Sequence, residues 1–257
     1  MTSSAPSGPW WRSLERSHWH VFIVASLAWL FDCMDQQFFN LARDAAMEHL
    51  LGDKARATVY GSYTMSVFLV GWAIGGLVFG SLGDRYGRAR ILSVCVLLYS
   101  VFTGLSSFST GFIDFCVYRF LTGLGVGGVF GLAVALVADS VPDHTRAPAL
   151  GMLQSLSTWG NVGAGLIGMG IGALAARHLL PFGLRDWQVT FLVGAIPAFL
   201  CVFIIGKLKE PAKWVESRAS SAKRGIKFGS YGNLLKHPRW SKHAWLGLIM
   251  CSAGIVG

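Results

Sequence analysis

The chain has 257 residues, 53% of them hydrophobic and 14% charged, against roughly 45–50% and about 25% in soluble domains. With 32 glycines, 8 prolines and a mean hydropathy of +0.51, it is neither a soluble enzyme, nor a collagen, nor a low-complexity linker protein. The net charge of +9 does not argue for nucleic acid, because ten of the 22 basic residues fall between Lys207 and Lys242, where Glu210 and Glu216 are the only acids.

A membrane-crossing helix needs about 20 mostly apolar residues. Six stretches meet that length, at 20–41, 59–82, 91–110, 112–138, 147–173 and 187–206. The first 19 residues are polar, carry Trp10, Trp11 and Trp19, and show no cleavable leader pattern, so the first span is expected to stay in the protein. A seventh apolar run starts near His243 and reaches Gly257, about 15 residues and short of a full crossing. The expected organisation is an all-α membrane protein: a six-span bundle over 1–206, a basic linker over 207–242 and an incomplete seventh span over 243–257. Six crossings put both ends of the bundle on one side. That side carries 16 Lys and Arg residues and the other carries five, which predicts a cytoplasmic N-terminus in the plasma (inner) membrane.

The first span is interrupted by Asp32 and Asp35, and the fourth by Arg119. Each intramembrane charge costs roughly 2.5–3.5 kcal/mol to insert, so these residues are functional candidates. Asp32, Asp35, Gln36 and Phe39 share a helical face, since neighbours three and four apart align. At about 1.5 Å per residue, Asp35 and Arg119 lie at similar depth and are expected to pair, with Asp32 one turn deeper as the proton carrier. A structural ion pair joining the first and fourth spans is the competing reading.

The second span carries Gly71, Gly75, Gly76 and Gly80, the fourth Gly123, Gly127 and Gly131, and the fifth Gly160, Ala164, Gly168 and Gly172. Small residues four apart let helices approach closely in lipid. Static packing seams and sliding faces are both open on spacing alone.

Between the second and third spans the sequence reads Gly80-Ser-Leu82-Gly83-Asp84-Arg85-Tyr86-Gly87-Arg88-Ala89-Arg90. Gly83 and Gly87 allow a tight turn between helices, and the alternating charges form a clasp at the membrane surface. This segment resembles the G-x-L-x-D-R-x-G-R signature of the major facilitator superfamily, in the loop where that family carries it. Three further segments resemble the same family. Arg119-Phe-Leu-Thr-Gly123-Leu-Gly125-Val-Gly127-Gly128 is similar to its fourth spans, and Asp139-Ser-Val-Pro142-Asp143-His-Thr-Arg146 to its loop between the fourth and fifth. Lys209-Glu210-Pro211-Ala212-Lys213-Trp214 is similar to the element after the sixth span of sugar porters. One departure is Ala89, where the family carries Lys or Arg and where Arg90 is the expected substitute.

The resemblance implies a 12-span fold of two six-helix halves with the solute site between them, of which this chain supplies the first. It implies a gating role for Gly80, Asp84, Arg85, Gly87 and Arg88, and a cytoplasmic clasp of Asp139, Arg146 and Glu210. Gln154 and Trp159 lie where sugar and organic-acid transporters carry solute-facing residues. Asp32-Cys33-Met34-Asp35 resembles the D-G-x-D element of aromatic acid–proton symporters, with Cys33 in place of the glycine. The expected function is therefore proton-coupled uptake of a small organic acid, with a sugar porter or facilitator as the alternative and a channel or sensor as a remote one. The expected partners are a small organic solute, the lipid bilayer and a C-terminal six-span half, with no nucleic acid. No catalytic constellation, metal spacing or cofactor motif is read: the seven histidines lie outside the spans or at their ends, and the five cysteines sit singly in apolar runs. The proton is the expected coupling ion.

Overall fold

In the computed structural model the described residues are 9–205, 210–223, 241–242 and 245–246, and their regular elements are all helical. The helices are α1 (Arg16–Leu51), α2 (Lys54–Tyr86), α3 (Arg88–Ser106), α4 (Phe112–Ser140), α5 (Arg146–Ala176), α6 (Asp186–Ile205) and α7 (Ala212–Lys223). Of the described helices, α2, α3, α4 and α5 are long and apolar enough to cross a membrane. In α1 the polar run Asp32, Asp35, Gln36 and Gln37 interrupts the apolar stretch, and the expected sixth span lies partly outside the described side chains. The expected seventh span and most of the linker lie outside the described residues.

Helix ends follow local chemistry rather than the apolar boundaries. The first helix continues ten residues past the expected end at 41, carrying Arg43, Asp44 and Glu48. It stops at Gly52, whose φ of 64° is the left-handed cap that glycine adopts freely and whose N–H donates to Glu48. Asp53 then caps α2, accepting from Ala55 N at 2.9 Å. At the start of α4 the Asp114 carboxylate accepts from the N–H groups of Thr110, Gly111 and Phe115.

The packing has α1 and α4 at its centre. α2 and α3 lie against α4, while α5 and α6 lie against α1, and α6 also packs on α3. The α2–α4 seam is backbone against backbone. A Cβ on Gly71 or Gly123 would collide with the carbonyls of Phe120 and Phe68, and one on Gly127 would stand 2.7 Å from the nitrogen of Gly76. On α5, Gly160 lets α1 approach so closely that a Cβ there would be 2.7 Å from the Leu30 carbonyl. The small-residue rows do not run to the end, since a Cβ on Gly131 or Gly172 would meet nothing within 4 Å, and Gly80 is only half-buried. These glycines are therefore packing seams over part of their length. Away from the seams, α2 exposes Val59, Tyr63, Val70 and Ile74, and α5 exposes Met152, Val162, Leu166 and Met169. Such faces suit lipid or a second bundle.

Candidate functional site

The first candidate site is a charge centre closed inside the bundle. Asp32 and Asp35 on α1 and Arg119 on α4 are each fully buried. Their placement follows from periodicity, because the Asp32–Asp35–Phe39 face of α1 is the face turned to α3 and α4. Asp32 accepts from Gln36 Nε2 at 3.1 Å, one helical turn away. The expected direct pair between Asp35 and Arg119 does not form: among the described residues no ion pair includes either. The carboxylate and the guanidinium nevertheless share one closed interior.

Arg119 instead donates from Nε and Nη2 to Ser106 Oγ on α3, at 3.1 and 2.8 Å. Ser106 gives its own proton to the Phe102 carbonyl at 2.7 Å, so its oxygen is fixed as an acceptor. The guanidinium also lies over the rings of Phe191, Phe39 and Phe115, at 4.7, 5.2 and 5.9 Å from their centroids. A desolvated cation–π contact is worth about 2 kcal/mol. A delocalised plane stacks and forks where an ammonium does neither. Arg119→Lys is therefore expected to lower the midpoint of thermal unfolding of the purified protein by several degrees. Unchanged melting would show the aromatic cage to be unimportant. Sequence reasoning found the three charges but missed Ser106 and Phe191, since a serine and a phenylalanine in apolar helices carry no signal of their own.

Gln154 and Trp159 do not join this centre. Both are exposed, Trp159 at 69%, and five residues of helix set them about 140° apart. α5 turns Gly160, rather than either of them, toward α1. Gln36, expected on the same face of α1 as Asp32 and Asp35, is half-buried and donates to Asp32.

The second candidate site is at the α2–α3 turn. Gly87 holds φ 116°, a conformation that favours glycine, and its N–H closes α2 on Gly83 O at 3.0 Å. Gly83 itself is helical, and its missing side chain makes room for Leu132 rather than for the turn. Arg88 is the hub. It donates to the Ala135 carbonyl at 2.9 Å, contacts Asp84 at 3.4 Å, and pairs with Asp139 more closely than with Asp84. Arg85 is exposed. Arg146 pairs with Asp143 at 2.8 Å and donates to the Ala138 carbonyl. Asp139 and Arg146 thus belong to adjacent contacts, not to one pair.

Glu210 accepts from the N–H groups of Ala89 and Arg90, at 3.3 and 3.2 Å, where α3 begins. A helix N-terminus offers unpaired donors and a partial positive charge to such a carboxylate. Ala89 is buried whereas Arg90 is exposed, so Arg90 does not replace a basic side chain at that position. Beyond Glu210 the chain forms α7 where sequence reasoning expected only a linker. Trp214 Nε1 donates to the Asp84 carbonyl at 2.9 Å, and Lys213 pairs with Asp143 at 2.9 Å. A cavity of about 470 Å³ remains between α7 and the Asp84–Arg88–Asp139 cluster. Among the described residues no group of histidine, cysteine and carboxylate side chains could hold a metal.

The family model described as the Major Facilitator Superfamily matches residues 25–257. The niacin transporter NiaP of Acinetobacter baylyi is 30% identical over 80% of this chain and 44% of its own length. The cis,cis-muconate transport protein of the same organism is 33% identical over 83% of this chain and 49% of its own. Among solved structures, the partially occluded inward-open xylose transporter XylE of E. coli superimposes with a TM-score of 0.70 at 20% identity, over 81% of this chain and 52% of XylE. The chain spans about half the length of the curated relatives it matches.

Proposed function

We propose that this chain, which belongs to the major facilitator superfamily and is a multi-pass membrane protein rather than an enzyme, is the N-terminal six-helix half of a proton-coupled organic-acid transporter working by alternating access. The bundle spans 1–206 and the basic segment 207–242 is the cytoplasmic linker, with the N-terminus on the cytoplasmic side of the plasma (inner) membrane. The observation that carries this reading is the charge balance of the buried centre: two carboxylates, Asp32 and Asp35, face one guanidinium, Arg119. Burying an uncompensated charge costs several kcal/mol. One proton brings the centre to neutrality, which gives the bundle a reason to move only when that proton is bound or released. Relatives named for niacin and cis,cis-muconate support a small organic acid as the cargo. The apolar faces left on α2 and α5 support a second half packed against them.

Arg119 is enclosed by Ser106 and three phenylalanines, so the solute does not reach it in this arrangement. Solute binding is transmitted instead through Gln36, which donates to Asp32 from a half-buried position. At the cytoplasmic end, Arg88, Asp84, Asp139 and Glu210 fasten the α2–α3 turn to α4 and α7 and act as the gate. Asp84→Asn in the complete transporter is expected to lower turnover several-fold while leaving solute affinity nearly unchanged, because the site is at the surface and far from the midplane. Loss of affinity at normal turnover would contradict the gating role.

The alternative, a sugar porter or facilitator, is favoured by the Glu210–Trp214 segment, which resembles a sugar-porter element and docks on the turn. Uptake of a panel of labelled organic acids and sugars, with and without a proton gradient, separates the two. Gradient-dependent uptake of acids supports the first reading. Gradient-independent uptake of sugars overturns it.

A further inference from the structure

The helices α3 and α4 run antiparallel in a register that several contacts fix. Arg119 meets Ser106, and a Cβ on Gly125 would lie 2.8 Å from the nitrogen of Tyr99. Residue numbers across this seam therefore add to a nearly constant value, and Thr103 stands opposite Thr122. Both threonines are fully buried. Thr122 also lies one turn from Arg119 on the same face of α4.

Several other buried hydroxyls, on α2, α3 and α6, satisfy themselves locally. Thr64, Ser100, Ser106 and Thr190 each donate to the carbonyl four residues back, the usual outcome for such a residue inside a helix. Thr103 and Thr122 do not, and their Oγ1 atoms have no protein partner. The same is true of both Asp35 carboxylate oxygens and of Arg119 Nη1. Thr103 and Arg119 both lie close enough to Asp35 to act on its carboxylate, though neither makes a hydrogen bond of normal length to it. Unpartnered donors and acceptors therefore converge at one level of the bundle: a carboxylate, two hydroxyls and a guanidinium nitrogen. Buried polar groups that lack a protein partner hold internal water when two to four of them surround a common point.

We propose that Thr103 and Thr122 are positioning residues which, through an internal water molecule, connect the Asp35 carboxylate to Arg119 Nη1. The guanidinium is a donor alone, so Nη1 gives a hydrogen bond to the water. The water gives its protons onward to Asp35 and to one threonine oxygen. The hydroxyls can turn to donate or accept, so the link persists whether Asp35 is charged or protonated. This accounts for a buried carboxylate and a buried guanidinium that share one interior without a direct ion pair. In the transport cycle, which rests on the proton-coupled reading above, the link keeps Asp35 bound to Arg119 and leaves Asp32, with Gln36, as the group that exchanges its proton. The other charges facing Asp35 are Asp32 from its own helix and Arg119 from α4.

The test is infrared difference spectroscopy of the purified full-length protein in lipid, which needs no transport. Bands of Asp35, as carboxylate or carboxylic acid, are those lost in Asp35→Asn. Thr103→Val and Thr122→Val keep shape and volume while removing the hydroxyl. Each is expected to shift the Asp35 bands in the direction of a weaker hydrogen bond, and Thr103→Ser is expected to restore the wild-type position. Thr103→Ala and Thr122→Ala serve as the same readout where a valine variant does not fold. Unshifted Asp35 bands in the hydroxyl-free variants, or a serine variant that behaves like valine, overturn the proposal. Solute uptake that ignores a proton gradient, with the bands still shifting, contradicts the proton-coupled reading and leaves the water link in place.

Discussion

Gly127→Val is expected to abolish recovery of the folded bundle from membranes. The added side chain would overlap the Trp72 carbonyl and press on the backbone of Gly76. Backbone within a helix cannot swing aside as a side-chain tip does, so α2 and α4 have to separate. Overpacking in cores costs about 1–3 kcal/mol where side chains can yield, and a loss above about 3 kcal/mol is expected where they cannot. Gly131→Val, one turn further along the same helix, is the matched control, because nothing lies within 4 Å of a Cβ there. Monodisperse elution of detergent-solubilised protein reads both variants. Gly127→Val eluting like wild type would mean that the seam tolerates separation and is a sliding face rather than a packing contact.

The second large effect belongs to Asp32. Asp32→Asn in the complete transporter is expected to abolish accumulation of solute against its gradient, a loss of at least about tenfold, the equivalent of 1.4 kcal/mol. Solute exchange at equal concentrations is expected to survive. The substitution is nearly isosteric, and the amide keeps an oxygen to accept from Gln36. What it removes is the second carboxylate, and with it the single unbalanced charge of the centre. Accumulation with unchanged pH dependence would leave Asp32, Asp35 and Arg119 as a structural assembly joining α1 to α3 and α4.

How much of this was legible in the sequence differs by element. The helical fold, the α2–α3 turn and the three intramembrane charges were, because apolar length, Gly87 beside Arg88, and Asp or Arg among apolar residues each point to one physical outcome. The pairing pattern was not. Depth along two helices places Asp35 level with Arg119, but only tertiary packing decides that Ser106 and three phenylalanines take the guanidinium. Gln154 and Trp159 were read from resemblance as solute-facing, and both are exposed on α5 away from the buried centre. Gly83 was read as a turn residue and proved to be a socket for Leu132, a contact between positions 49 residues apart that no local pattern encodes. The helix α7 was hidden in a stretch whose charge gave orientation and whose 209–214 segment gave a family resemblance, neither of which specifies a helix. Trp214 meets the Asp84 carbonyl and Glu210 meets the N–H groups at the start of α3, which are backbone groups that leave no side-chain complement to read, and the side-chain pair of Lys213 with Asp143 joins positions 70 residues apart.

The most direct measurement is proton movement during solute entry. Proteoliposomes holding the complete transporter and an internal pH dye receive an organic acid that is fully ionised at the working pH, with no other gradient imposed. Wild-type protein is predicted to acidify the interior as solute enters, and Asp32→Asn to admit or exchange solute with no pH change. Entry of the acid through wild-type protein without proton movement would contradict the coupling role of the buried centre.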